Sequence, residues 1–225
     1  FSFSAGAQMA SPQPDLCWEQ QLWSRGYRRV AGIDEAGRGA WAGPVVAAFV
    51  VLPRYLPGVR AILHSVKDSK LLSPGVRERC YDLIIECSLF YGVGAASSHE
   101  IDRVGIVPAT RLAMSRAMVR TPFPLDYLLI DALPLPGIEC AQCAIIKGDR
   151  YCLSIAAASI VAKVSRDRRM IALGGKLPGY GWNRNKGYGT AEHRRALGKL
   201  GATPHHRHSF APIRALGGMT ADGFE

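Results

Sequence analysis

No stretch of the 225 residues approaches the ~20 uninterrupted apolar positions that a membrane-spanning helix requires. The opening, FSFSAGAQMASPQP, has neither the basic start nor the apolar run of a secretory signal, so a soluble, cytoplasmic chain that avoids membranes is expected. Because it opens on Phe1 rather than Met, with Met9 an alternative start, this stretch carries no weight in the functional reading. A regular cysteine framework is also missing: Cys17, Cys80, Cys87, Cys140, Cys143 and Cys152 are scattered, which favours a reducing compartment over a disulfide scaffold. Cys140 and Cys143 form a lone C-x-x-C, without the second pair of a zinc ribbon, and a metal or redox role for them is the minor reading. His205, His206 and His208 lack the helical spacing of H-E-x-x-H, and no internal repeat is present.

What is present is size, apolar content and positive charge. A chain of this length with 48% hydrophobic residues can bury one large domain, or a domain with a small lobe. Its 28 Lys+Arg against 18 Asp+Glu give a net charge of +10, which attracts polyanions without by itself identifying one.

From Arg29 the sequence RRVAGIDEAGRGAWAGPVVAAFVVLP reads as two apolar strands around a glycine-rich turn, with Asp34 and Glu35 at the end of the first. Ser73 and Pro74 are suited to open a helix reaching about Ser88, and LFYGVGAAS is a third strand. VPATRLAMSRAMVR carries a helical stripe of Leu112, Met114, Ala117 and Met118, read as core. DYLLIDA and CAIIKGD are short apolar runs with an aspartate at or just after the end. An Ala-rich helix spans about Leu153 to Leu173, and a short one Ala191 to Leu200. Strands alternating with helices indicate α/β.

Asp34, Glu35, Asp131 and Asp149 thus fall at the ends of three strands, where open α/β sheets collect ligands. Four carboxylates are oxygen donors for hard divalent cations, Mg²⁺ or Mn²⁺, and a pair of such ions can hydrolyse a phosphodiester without a Ser, Cys or His nucleophile. Taken singly, each acid is equally well explained as a turn or helix cap. Neighbours on a regular strand point to opposite faces, so Asp34 and Glu35 are expected to share a site only if the strand distorts where the Ala36 to Gly39 turn begins. Asp167, far along the Ala-rich helix, is expected to be a structural ion-pair residue.

GIDEAGRG, KDSKLLS, LLIDA, KGD, SIAAASIVAKVSRD, KGYGTAEH and HHRHSFAP, running from about Val30 to Pro212, resemble ribonuclease HII in order and spacing. The resemblance implies a ribonuclease H-like mixed sheet flanked by helices, with a small C-terminal helical lobe that closes over the duplex. It implies metal binding by Asp34, Glu35, Asp131 and Asp149, and a reaction that leaves a 3′-hydroxyl and a 5′-phosphate. Gly37, Arg38 and Gly39 match the turn whose backbone reads the ribose 2′-hydroxyl, and Tyr188 matches a tyrosine that packs at the ribonucleotide to DNA junction. Lys67, Ser69, Lys70, Lys147 and Lys186 match positions near the phosphates, where basic groups orient a duplex without reading bases. The implied partners are RNA–DNA hybrids and DNA containing ribonucleotides, and a monomer is expected.

Two departures flank metal ligands: Ala132 stands where the family often has glycine, and Arg150 where it often has serine. The expected organisation is an N-terminal extension over 1–25, a catalytic domain over 26–215 with the lobe starting near 176, and a loose tail over 216–225. The rival readings are a ribonuclease H that ignores single ribonucleotides, a hybrid-binding protein that does not cut, and a cysteine-based zinc or redox module.

Overall fold

A computed structural model describes residues 13–54, 72–119 and 121–217; Lys67, Ser69 and Lys70, expected near the phosphates, and most of the tail expected over 216–225 lie outside them. The first elements are helix α1 (Cys17–Ser24) and strands β1 (Val30–Ala36) and β2 (Val45–Val51). Then come α2 (Pro74–Cys87), β3 (Phe90–Ala96), α3 (Ser98–Val104) and α4 (Ile106–Met118). β4 (Tyr127–Asp131), β5 (Ala141–Ile145) and a 3-10 turn (Gly148–Arg150) lead into α5 (Leu153–Lys176). The last described elements are α6 (Trp182–Asn185), α7 (Ala191–Leu200) and α8 (Ala211–Gly217).

The strands form one mixed sheet in the order β3-β2-β1-β4-β5. β2 runs antiparallel to both of its neighbours, β1 and β3, whereas β4 runs parallel to both β1 and β5. β2 is buried at every position, as its unbroken apolar run VVAAFVV requires of a strand covered on both faces. Ala31, Ile33, Phe49 and Leu128 pack against Ala113, Met114 and Ala117 of α4 on one face. On the other face Ala48 and Val50 meet Ala157, Ile160 and Val161 of α5, with Cys80 and Ile84 of α2. The architecture is the expected α/β mixed sheet flanked by helices.

Several local expectations are refined. The buried face of α4 runs through Ala109, Thr110, Ala113, Met114 and Ala117, while Leu112 and Met118 pack only partly against it. Helix α3 was not expected, although Ser97 and Glu100 form a reciprocal capping box that the sequence displays. Of the stretch expected as an N-terminal extension, the described residues 13–25 include helix α1. Helix α1 buries Leu22 and Trp23 against Val30, Leu129 and Ile155, because the β4 end of the sheet needs an apolar cover. Beyond Lys176 the helices gather around Tyr180, Trp182, Ala196, Leu197 and Ile213, and this cluster includes Ala42 from the turn after β1 and Met170 from α5.

One close approach governs where α5 lies. A Cβ at Gly32 would fall inside the backbone of Ser154 and Ile155, so α5 rests directly on β1. Gly32→Ala is expected to cost about 2–3 kcal/mol of stability in denaturant unfolding, through a forced separation of helix and strand. An unchanged midpoint would show that the helix can back away without penalty.

Candidate active site

The carboxylates gather at one end of the sheet because β1 and β4 run parallel as neighbours. Their register pairs Ile33 with Ile130, so Asp34 and Asp131 follow at the same level. Asp131 ends β4, and its Oδ1 accepts the Gly148 amide at 2.8 Å, which ties the 3-10 turn carrying Asp149 to the strand end. Asp149 therefore reaches this region from the turn before α5, four positions beyond the end of β5, and it is buried.

Asp34 is buried as well, and its carboxyl is held well above the usual carboxylate range, first by burial and then by the Glu35 and Asp131 carboxylates beside it. The Glu35 amide, 2.6 Å from Asp34 Oδ1, and the Ser159 hydroxyl of α5 oppose that rise. Glu35 Oε1 meets Arg38 Nη1 at 3.1 Å. The sheet thus concentrates three carboxylates that destabilise one another as anions, all of them oxygen donors, and this chemistry fits a hard divalent cation. Among the described residues no three His, Cys, Asp or Glu side chains stand in a ready-made ligand arrangement. The fit therefore rests on the donor type and the crowding of charge.

The strand distortion expected at Asp34 and Glu35 is absent. The β1–β2 ladder stays in register through Glu35↔Ala47 and Ala36↔Val46. Alternation sends Asp34 toward α5, and Glu35 comes to the same region because it sits at the strand terminus, beside the turn. There Glu35, Gly37, Arg38 and Gly39 line a cavity of about 520 Å³ together with Tyr188, Ser159, Lys163 and Arg77. The turn and the tyrosine, 150 residues apart in the chain, so share one wall. A second cavity of about 550 Å³, lined by Trp18, Tyr27, Tyr127 and Cys143, has no acidic residue in its lining and offers nothing to a cation.

Two arginines unremarked in the sequence hold this cavity. Arg207 is fully buried, donating to the carbonyls of Gly37 (2.7 Å), Arg38 (2.8 Å) and Gly43 (3.0 Å). Arg166 of α5, equally buried, donates to Pro44 (2.9 Å), Lys186 (3.0 Å) and Ala42 (3.2 Å), and its guanidinium lies 5.3 Å from the Tyr188 ring centre. Burial first and Arg166 second pull Arg207 down to about 9, and burial likewise lowers Arg166. Gly37, at φ 92°, has no room for a side chain because Arg166 fills the space a Cβ would take. Arg166 shares the i, i+4 row of buried Ala162 and Met170, and a charge on such a row is the signal by which sequence could have found it.

Lys186 is half-buried, its pKa lowered by burial, and it donates to the Asn183 carbonyl; Lys147 is exposed in a left-handed conformation two residues before Asp149. Asp167 pairs with Lys163 (2.8 Å) and Arg77 (3.8 Å), the structural role expected for it, and thereby anchors two cations at the cavity. Cys140 and Cys143 are free thiols. Ala132 adopts φ 54°, which explains why glycine suits the position after Asp131. Arg150 is exposed.

Sheet, flanking helices and acidic strand ends define a ribonuclease H-like α/β protein with a carboxylate centre. The profile for ribonuclease HII matches residues 31–213. The chain is 50% identical over 205 residues to ribonuclease HII of Roseiflexus castenholzii, covering 91% of this chain and 92% of that one. It is 52% identical over 204 residues to ribonuclease HII of a Synechococcus strain, covering 91% of each. The crystal structure of ribonuclease H2 from Pyrococcus horikoshii superposes with a TM-score of 0.70 at 26% identity, over 84% of this chain and 96% of that one. The chain belongs to the ribonuclease HII family. Its class is that of metal-dependent type 2 ribonucleases H, endonucleases that cut the RNA of RNA–DNA hybrids.

Relieving the charge crowding should stabilise the metal-free fold: Asp34→Asn is expected to raise the thermal midpoint by several degrees, about 1–2 kcal/mol. A lower midpoint in calorimetry would contradict the crowding. Ala132→Gly should lose less than about 0.5 kcal/mol, because relief of the left-handed strain offsets the added chain entropy that normally makes this change costly. A loss near the ordinary ~1 kcal/mol would mean that the strain is not there.

Proposed function

We propose that this chain hydrolyses the RNA strand of RNA–DNA hybrids and also nicks on the 5′ side of single ribonucleotides embedded in duplex DNA, leaving 3′-hydroxyl and 5′-phosphate ends. The observation that carries the reading is the cavity in which Glu35, the Gly37–Gly39 turn and Tyr188 meet beside the Asp34 and Asp131 carboxylates. It puts groups able to sense one sugar next to groups able to hold cations.

In this reading Asp34, Glu35, Asp131 and Asp149 hold Mg²⁺ or Mn²⁺. When bound, a pair of such ions supplies Lewis acidity, activating water and stabilising the departing oxygen of an in-line displacement. The chain's own residues prepare the site. Ser159 and the Glu35 amide orient Asp34, and the Gly148 amide orients Asp131. Arg207 turns the carbonyls of Gly37 and Arg38 inward, so the turn is rigid before substrate arrives. Gly37 and Gly39 let backbone approach the ribose, where the 2′-hydroxyl alone distinguishes RNA from DNA at one nucleotide. Tyr188 packs on the sugar at the junction. Lys147, Lys186 and Arg38, with Lys163 at the cavity wall, attract and orient the phosphates. Lys67, Ser69 and Lys70 are assigned to the same task on the resemblance alone. The net charge of +10 suits an enzyme that meets nucleic acid and six unpaired thiols suit the cytoplasm, where we assign it as a monomer on the resemblance alone.

The test is cleavage of three duplexes with Mg²⁺ or Mn²⁺: one with a single ribonucleotide, an RNA–DNA hybrid, and all-DNA. A nick 5′ to the ribonucleotide, none in all-DNA, and a loss on the order of a thousandfold or more in Asp34→Asn are expected. Tyr188→Ala should lower single-ribonucleotide cleavage by about tenfold to a hundredfold, the worth of one aromatic contact. Cleavage of hybrids with no nick at the single ribonucleotide would leave a ribonuclease H without junction recognition.

A further inference from the structure

Behind Tyr188, in the lobe, two fully buried histidines stand ring to ring. His193 Nε2 lies 3.1 Å from His206 Nε2 and 3.1 Å from the Trp182 indole nitrogen. His193 Nδ1 is 3.0 Å from the Tyr188 carbonyl oxygen, and His206 Nδ1 is 2.9 Å from the Thr203 amide nitrogen.

The outer partners of this chain have fixed roles. An indole N–H and an amide N–H can only donate, and a carbonyl can only accept. The Thr203 amide therefore requires a bare Nδ1 on His206, which puts that ring's proton on Nε2. The Trp182 indole requires a bare Nε2 on His193, which puts that ring's proton on Nδ1. Both requirements agree at the ring-to-ring contact, where His206 donates and the single lone pair of His193 Nε2 is shared between it and the Trp182 indole. His193 then donates to Tyr188. A proton added to either ring would face a donor, and burial, the largest cause, with the neighbouring His193 second, accordingly holds His206 at about 4.

We propose that His206 and His193 form a tautomer-locked relay that fixes the backbone of Tyr188, making both histidines positioning residues for junction recognition. The relay rests on the assignment of Tyr188 to the junction. It supplies a second donor to the Tyr188 carbonyl, which also accepts the Thr190 amide at 2.8 Å. Its far end sits on a segment joined to the turn after β1, through the bridge between His206 and Ala42 and the 2.8 Å bond from the Arg207 amide to the Trp41 carbonyl. The tyrosine is thus referenced to the same turn that carries the ribose-facing glycines. A small displacement of such a group is enough to lower the rate severalfold or more.

The experiment has two arms in the full chain. In the first, single-ribonucleotide cleavage is measured for His193→Phe, His193→Asn, Tyr188→Ala and the His193→Phe/Tyr188→Ala double variant. His193→Phe should lower kcat/KM by about tenfold, the worth of one buried hydrogen bond. His193→Asn, whose amide N–H replaces Nδ1–H, should recover most of that loss. On the Tyr188→Ala background the effect of His193→Phe should vanish. An equal loss on both backgrounds overturns the relay while leaving the Tyr188 assignment standing. An inert Tyr188→Ala overturns the assignment itself, and the positioning role with it. In the second arm, which needs no variant, nitrogen-15 spectra of the native protein at neutral pH should show His193 protonated on Nδ1 and His206 on Nε2. Opposite tautomers, or a charged ring, overturn the lock.

Discussion

Helix α5 lies on β1 so closely that position 32 has room only for glycine, and this one contact sets the position of almost everything else. Along the helix from that point, Ser159 reaches Asp34, Lys163 reaches the cavity, Arg166 fills the space beneath Gly37, and Met170 enters the core of the C-terminal lobe. At 1.5 Å per residue, the step from Ser159 to Arg166 is about 10 Å. A rigid element of that length carries the registry of the carboxylates to the Gly37–Gly39 turn that lines the cavity. A helix standing off by a side chain's thickness would break each of these contacts together.

The same region gathers charge where burial makes charge expensive. Asp34 is crowded by Glu35 and Asp131, and on the other side of the turn two buried arginines sit close enough to repel one another while hydrogen-bonded to backbone carbonyls. Neither arrangement is what stability alone would select. The acids gain a rationale as a cation site, and the arginines as fixed posts that turn the carbonyls of Gly37 and Arg38 into the protein. An arginine can hold several carbonyls at once through its planar fork, which a lysine could not do.

The catalytic sheet and the lobe are therefore one device. Arg207 and His206 come from one short segment of the lobe, and through them the Gly37–Gly39 turn and the Tyr188 loop are tied to a common support. Recognition of a single sugar depends on relative placement within a fraction of an ångström, and rigid mutual attachment is the physical means of holding it.

The alternation of apolar runs and the turn chemistry around them were enough to locate the five strands of the described residues, the helices α2, α4, α5 and α7, and Asp34 and Asp131 near strand ends. These follow from periodicity and backbone preference within a few residues, which any local segment displays. Helix α1 was missed because its buried face is read only against the sheet that it covers. That Asp34 and Glu35 serve one region without a distorted strand, that Asp149 arrives on a 3-10 turn, and that Arg166, Arg207 and the histidine relay support the cavity were decided by tertiary structure alone. Gly37 and Arg207 meet across 170 positions of chain. No local pattern encodes such a meeting, because it exists only once the sheet, α5 and the lobe have packed.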